Sequence, residues 1–428
     1  MRGRNFTDAN TPATDKSELI NVRDLMKSLS QAELMEYAEA YFSSIKDPSY
    51  HKAKPFWSIH ECPTILTNFS KVLQCGEFLP GQTLLEFGAG SCWAGRIFNQ
   101  LGLEVISLDI SPSALKIGQD LKKSWKVFGE KPKHSFMEFN GTHIDLPDQS
   151  VDRILCFDCF HHVSNPDVIL GEFYRILKPS GLVAFSEPGP MHSRNSQSQY
   201  EMRNYKVIEN DIIIEDIWNI AKESGFDDIY FTFLINNPIR IGFDEYKAFQ
   251  QKGLNNDLSK TIKRSIELDH SNTTIFFLRK GKAISLDSRT RLGLLAEISL
   301  LSLETNRNDS GQLELELKCR VKNISESIWI ASGHQVGCVN LGVSIFDGNG
   351  ELKELDYMRS HFLSADAAPG AIIDTGIKIP IPSTNGSYLF SVDLVSEGVC
   401  WFSLNGSNTL KVEWPITSYK LQINDAFK

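Results

Sequence analysis

The sequence predicts an α/β protein, a parallel, doubly wound sheet of seven strands, followed by an antiparallel β-sandwich. Three observations carry this. From residue 83 to residue 187 short apolar runs alternate with amphipathic stretches, the pattern of repeated strand–helix–strand units. A glycine turn, Gly88-Ala89-Gly90, follows directly on the first of those runs. After Lys282 the helix signal fades, and β-type runs follow one another between Gly, Asn, Ser and Pro turns.

Taken in order, residues 17–42 read as helix, with Leu25, Met26, Leu29, Leu34, Met35, Ala38 and Phe42 at roughly helical spacing. The strand-like runs are TLLEF (83–87), VISLD (105–109), SFMEF (135–139), RILCFD (153–158) and LVAFSE (182–187). Between them Pro112 to Lys123 and Pro166 to Leu177 are helix-like, and a further helix is expected near Ile212 to Ser224. IYFTFLI (229–235) and TIFFLRK (274–280) would complete the sheet, with residues 236–270 helical or irregular and part of a cap. The last third holds β-runs at 293–304, 313–323, 339–347, 371–381, 388–395 and 409–414. This divides the chain into an N-terminal helical segment, 1–55, an α/β domain, 56–284, and a sandwich, 285–428.

With 428 residues, 41% of them hydrophobic and 23% charged, the chain has full cores to bury and is neither disordered nor fibrous. The net charge of -9 argues against duplex nucleic acid as the main partner, because phosphate binding needs a concentrated positive face. No run approaches the ~20 apolar residues of a membrane span. The first residues have no apolar core of the kind a secretory signal needs, and eight scattered cysteines fit reduced thiols, so a cytoplasmic protein is expected.

The glycine turn excludes two common ligands. A dinucleotide fingerprint needs a small residue three places after the second glycine, and Trp93 stands there. No Gly-Lys-Ser/Thr follows, so it is no P-loop. A ligand with adenosine but no phosphate suits the loop better. Glu86 at the strand end can attract a cation, and Asp109, closing the second strand about 20 residues on, is placed to accept both ribose hydroxyls.

These residues resemble the class I S-adenosylmethionine-dependent methyltransferases, in the manner of methyltransferase type 11. The resemblance extends through DLPDQSVDRILCFDCFHHV (145–163) and ILKPSGLVAFSEPG (176–189), and it is dense over residues 84–187. It implies a Rossmann-like sheet and S-adenosyl-L-methionine bound by Glu86, Gly88, Ala89, Gly90, Asp109, Ile110, Asn140, Gly141 and Asp158. Asn140 stands where the family often has an acidic residue near the adenine, and its amide can still bond an adenine edge.

Methyl transfer from a sulfonium mainly needs alignment, plus a base if the acceptor is a hydroxyl. His161 and His192, at the ends of the fourth and fifth strands, are the candidate bases, with Glu187 as a rival. His162 is expected to face solvent or sheet. Cys156 and Cys159 have CxxC spacing, but no second Cys or His pair follows at zinc spacing, and no metal is expected. Phe56 and Trp57 are read as an acceptor wall or as core.

The last third resembles β-sandwich modules of bacterial enzymes and transporters that handle surface polysaccharide, through VKNISESIW (321–329), Pro369-Gly370 and YLFSVDLVSEGVCWF (388–402). Trp329, Trp401 and Phe402 then either stack on sugar rings or fill the core. The resemblance implies O- or N-methylation of a saccharide or glycan precursor in cell-surface polysaccharide biosynthesis, with glycan-assembly proteins as partners. Two alternatives stand beside it. One is a non-catalytic glycan-binding or assembly protein with a degenerate domain; the other is a small-molecule (lipid or quinone) methyltransferase.

Overall fold

A computed structural model describes residues 19–125, 129, 131–233, 239–282, 287–291, 293–331, 336–382, 386–415 and 419–421. The chain divides into two compact units, Met1–Ala283 and Ile284–Lys428.

The first unit begins with α1 (Val22–Ser28), α2 (Gln31–Ser43), α3 (Ser49–Ala53) and α4 (Cys62–Cys75). The alternating region follows as β1 (Thr83–Phe87), α5 (Trp93–Gln100), β2 (Glu104–Asp109), α6 (Pro112–Ser124), β3 (His134–Glu138), β4 (Val151–Phe157), α7 (Pro166–Ile176) and β5 (Leu177–Pro188). It ends with α8 (Ser196–Tyr205), α9 (Ile214–Ser224), β6 (Asp228–Thr232), α10 (Phe243–Lys252), α11 (Asn256–Asn272) and β7 (Thr273–Arg279).

Seven strands pair in the order β3-β2-β1-β4-β5-β7-β6. All are parallel except β7, which runs antiparallel to β5 and β6, so the sheet is mostly rather than wholly parallel. Alternation sends successive side chains to opposite faces. Leu85, Phe87, Ile154 and Phe185 meet Leu170 and Phe173 of α7 and Ile217 of α9. On the other face Leu84, Leu155 and Leu182 meet Phe69 and Val72 of α4 and Trp93 and Phe98 of α5. The strands are buried on both sides, which is why they read as continuous apolar runs.

Some boundaries differ from expectation. The single helix over 17–42 is two, because Ser30 and Glu33 form a capping box: Ser30 Oγ accepts from Glu33 N (3.3 Å) and Glu33 Oε2 from Ser30 N (2.8 Å). Residues 17 and 18 lie outside the described residues, as do 234–238 from the expected strand and cap.

The second unit is built from β8 (Ala296–Arg307), β9 (Leu313–Asn323), β10 (Val339–Asp347), β11 (Leu352–His361), β12 (Ile372–Pro380), β13 (Tyr388–Ser396), β14 (Cys400–Trp401), β15 (Leu410–Trp414) and β16 (Tyr419–Leu421). Two antiparallel sheets result: β11-β10-β13-β15-β16, with β14 beside β13, and β12-β9-β8. Their inner faces contribute to one apolar core, with Leu317 and Ile379 from one sheet and Val343, Phe390 and Val412 from the other. The expected runs did not include β11, an edge strand whose residues are largely exposed and so carry no core-facing alternation. Trp329 and Phe402 are fully buried and meet edge to face at 5.5 Å, so neither stacks on sugars. Trp401 is half-buried beneath the Arg359 guanidinium, 4.3 Å from its ring centre.

Candidate active site

Strand β1 delivers the chain to the glycine turn at the carboxyl edge of the sheet. Gly88 has φ +61°, and a Cβ there would lie 2.6 Å from that of Cys159. Both facts require glycine. Glu86 lies behind the turn and is 4% exposed. Its Oε1 accepts from Gly95 N (2.7 Å) and its Oε2 from Ser107 Oγ (2.6 Å), while burial pushes its pKa up to about 7. A Cβ on Gly95 would come within 2.2 Å of that carboxylate. Glu86 therefore braces the turn and the start of α5.

Asp109 closes β2 beside the turn. Its Oδ2 accepts from Gly90 N (2.7 Å) and its Oδ1 from Ser111 N (2.8 Å). Burial raises its pKa, opposed by these backbone donors. Each oxygen keeps a second lone pair for a ligand hydroxyl.

A cavity of about 710 Å³ opens over this floor. Glu86, Gly88, Ala89, Gly90, Asp109, Ile110, Gly141 and Asp158 all line it. Asn140 does not. Its Oδ1 accepts from Thr142 N (3.0 Å) and His143 N (2.8 Å), so its side chain shapes its own turn.

The opposite wall comes from the N-terminal segment, which sequence reasoning left without a place. Tyr37, Tyr41, Phe42, Tyr50 and Trp57 line the cavity. Phe56 is 65% exposed, so Trp57 alone of that pair forms wall, and Phe56 is not core. Polar contacts hold the segment in place. Glu39 of α2 accepts from Ser111 Oγ (2.6 Å) and Ser113 N (3.1 Å) at the start of α6, and also from Ser113 Oγ. Gln31 Oε1 accepts from Ser164 Oγ (3.0 Å), and Ser91 Oγ donates to the His51 carbonyl (2.9 Å).

The three candidate catalytic residues lie behind the cavity wall. Glu187 Oε1 accepts from Cys159 N (3.1 Å) and Phe160 N (2.9 Å), and Oε2 pairs with His161 Nδ1 (2.8 Å). His161 is 3% exposed. Burial alone would lower its pKa, but Glu187, Asp158 and Glu209 outweigh it and raise it to about 9. A cationic, enclosed imidazole is a poor base at neutral pH. His192 Nε2 is 2.6 Å from Glu209 Oε2.

The imidazole on the cavity wall is His162. Its side chain is 40% exposed, in keeping with the solvent-facing position expected of it, while the short helical turn after β4 turns the adjacent His161 inward. His162 Nδ1 is 2.6 Å from the Ile208 carbonyl, which only accepts, so that nitrogen carries the proton and Nε2 is left to take one up. Desolvation within this network and the neighbouring His161 charge lower its pKa. Glu209, missed entirely, lies 3.6 Å from His162 Nδ1 and 4.0 Å from His161 Nε2. Burial works against its charge, but the surrounding histidines lower its pKa to about 2. Only its place in an unpatterned loop, Val207-Ile208-Glu209-Asn210-Asp211, marks it in sequence.

His161, His162 and Glu209 each offer a ligand atom within 4.8 Å of the others, a spacing compatible with a metal ion. Their hydrogen-bond partners, Glu187, the Ile208 carbonyl and His192, already engage one atom of each, which makes a hydrogen-bonded network the simpler account. Cys156 and Cys159 are free thiols, and Cys159 Sγ donates to the Phe87 carbonyl (3.0 Å).

Residues 85–185 match the family described as a methyltransferase domain. Phosphoethanolamine N-methyltransferase 2 of Caenorhabditis elegans is 25% identical over 165 residues, covering 38% of this chain and 36% of that protein. Demethylmenaquinone methyltransferase of Renibacterium salmoninarum is 29% identical over 137 residues, covering 31% and 53%. The chain thus spans about a third to a half of the length of these relatives. Among solved structures, phosphoethanolamine N-methyltransferase 2 of Haemonchus contortus with S-adenosyl-L-methionine aligns at 18% identity and a TM-score of 0.36, covering 61% of this chain and 60% of that one. No described helix is long and apolar enough to cross a membrane.

Proposed function

We propose that the first unit transfers a methyl group from S-adenosyl-L-methionine to a nitrogen or oxygen of a small acceptor held under the N-terminal segment. One observation carries the reading: the glycine turn and Asp109 form the floor of a cavity whose wall also holds His162, its Nδ1 turned to the Ile208 carbonyl. The residues fit the cofactor. Asp109 has lone pairs left for ribose hydroxyls, Ile110 and Phe139 offer apolar surface for a base, and the turn admits close backbone approach. When bound there, the cofactor supplies an electrophilic methyl group.

The remaining work falls to this chain. The N-terminal wall excludes water and orients the acceptor, which is where most of the acceleration in a direct displacement arises. His162 Nε2 takes the acceptor's proton, and the Ile208 carbonyl holds the ring in the tautomer that allows this. Asp158 and Glu201, with the rings of Tyr41 and Tyr50, give the cavity carboxylates and aromatic faces suited to an amine.

The name of the Caenorhabditis elegans relative supports an amine acceptor, and that of the Renibacterium salmoninarum relative supports the small-molecule quinone alternative. The saccharide or glycan reading, with its glycan-assembly partners, rests on the C-terminal unit, where Trp401 is what remains for sugar stacking. The cytoplasmic assignment rests on composition alone.

The test is a transfer assay that follows S-adenosylhomocysteine release with three acceptor panels: amino alcohols, amino and neutral sugars, and demethylated quinones. Turnover on an amine or hydroxyl panel, reduced about 100-fold or more in a folded His162→Ala variant, is expected. Transfer only to quinone carbon, or turnover unaffected by the substitution, overturns the reading.

A further inference from the structure

A second, much smaller cavity, of about 30 Å³, lies between α5 and α6, where it has room for one water or one ion of similar size. Its wall includes Arg96, Lys122, Trp125 and His134 and contains no acidic side chain among the described residues. Arg96 is 7% exposed and lies flat on Trp125, its guanidinium carbon 3.6 Å from the ring centre. Its Nε and Nη1 are buried without a hydrogen-bond acceptor. Lys122 Nζ gives one hydrogen bond to the His134 carbonyl (2.6 Å), which leaves donors over.

A buried guanidinium without a counter-charge costs several kcal/mol. The carboxylate whose charge Arg96 feels is Glu86, and both oxygens of Glu86 are already engaged by Gly95 and Ser107. His134 adds no charge, since burial and the neighbouring Lys122 lower its pKa to about 4. The wall is therefore cationic and donor-rich, with Asn99 and Gln100 as its neutral polar groups. The cavity also connects to the glycine turn: His134 Nε2 meets Ser107 Oγ at 2.9 Å, and that hydroxyl donates to Glu86, which in turn holds Gly95.

We propose that this cavity is a site for a single chloride ion, held by Arg96 and Lys122, and that the ion steadies the glycine turn through His134, Ser107 and Glu86. A monatomic anion fits the volume.

The test uses the intact chain with bromide as the probe. Crystals soaked in bromide are expected to show an anomalous peak within hydrogen-bonding distance of Arg96, lost in Arg96→Gln. S-adenosyl-L-methionine is expected to bind about fivefold more tightly in chloride than in gluconate at equal ionic strength, and the difference disappears in the variant. No peak, or a peak that survives Arg96→Gln and marks an adventitious ion only, overturns the site. Equal affinities in the two salts overturn the link to the turn. Should Arg96→Gln fail to fold, Lys122→Met keeps the guanidinium and is expected to reduce bromide occupancy; full occupancy overturns Lys122 as a ligand. The coupling arm rests on the methyltransferase reading, whereas the bromide peak does not, so a protein that takes bromide but never binds the cofactor refutes that reading alone.

Discussion

The two units bury very different things. Among the described residues, the first encloses Glu86, Arg96, Asp109, His134, Arg153, His161, Glu187, Glu209, Asp269 and Arg279. The second encloses one ionisable acidic or basic side chain, Asp393, together with serines and Asn323. Burying charge is costly and is tolerated where hydrogen bonds or chemistry require it. In the second unit the polar groups serve turns, as Asn323 does in accepting from Ser325 N (3.0 Å) and donating to the Ala367 carbonyl (3.0 Å). In the first, Asp109, His161, Glu187 and Glu209 gather past the carboxyl ends of the strands, while His134, Arg153 and Arg279 lie at the other end of the sheet. The contrast supports the proposal that the chemistry belongs to the first unit.

That contrast can be broken from either side. Trp329→Ala removes the largest fully buried side chain of the second unit and should cost about 3–5 kcal/mol of its stability, read by denaturant unfolding. Cofactor affinity of the folded protein should be unchanged; a large loss would mean that the second unit shapes the site. Gly95→Ala drives a methyl group onto the Glu86 carboxylate and should cost about 1–3 kcal/mol and weaken cofactor binding as well. A neutral outcome would show that Glu86 does not brace the turn.

The pH profile sharpens the same comparison. His161 has a folded pKa raised to about 9, so its contribution is complete below its unfolded value near 6.5 and is lost as pH rises through 9. Glu86, raised to about 7, is increasingly destabilising as pH climbs from its unfolded value of about 4.3 through 7. Both signs agree. Thermal stability should fall from pH 5 to pH 9, and His161→Gln should flatten the part above pH 6.5. An unchanged slope would count against the His161–Glu187 pair as the origin. Glu209, lowered to about 2, contributes above its unfolded value and gives way only in strong acid. Glu209→Gln should therefore shift the midpoint of His162 titration, followed by imidazole nitrogen resonances, downward; no shift would sever the link. The smallest effect is expected of Trp401→Ala, within about 0.5 kcal/mol of wild type, because the ring is half-buried.

Much of the first unit was legible because strands buried on both faces leave uninterrupted apolar runs, and because Gly88, Gly90 and Asp109 lie close in sequence. The rest depends on contacts distant along the chain. Glu39 reaches Ser111, and Gln31 reaches Ser164; no local pattern marks such pairs. The choice between His161 and His162 turns on a single residue of register after β4, where Glu187 captures one imidazole and Ile208 the other. Asn140 differs for a related reason: its Oδ1 is engaged in its own turn, and it does not line the cavity.

The central claim is that Asp109 and the glycine turn hold S-adenosyl-L-methionine. It is tested most directly by calorimetric titration of the cofactor into the wild-type chain and into a folded Asp109→Ala variant. The account expects saturable micromolar binding that weakens at least about 100-fold when two charged hydrogen bonds to the ribose are lost. Equal affinity in the variant, or no binding by the wild type, would contradict it.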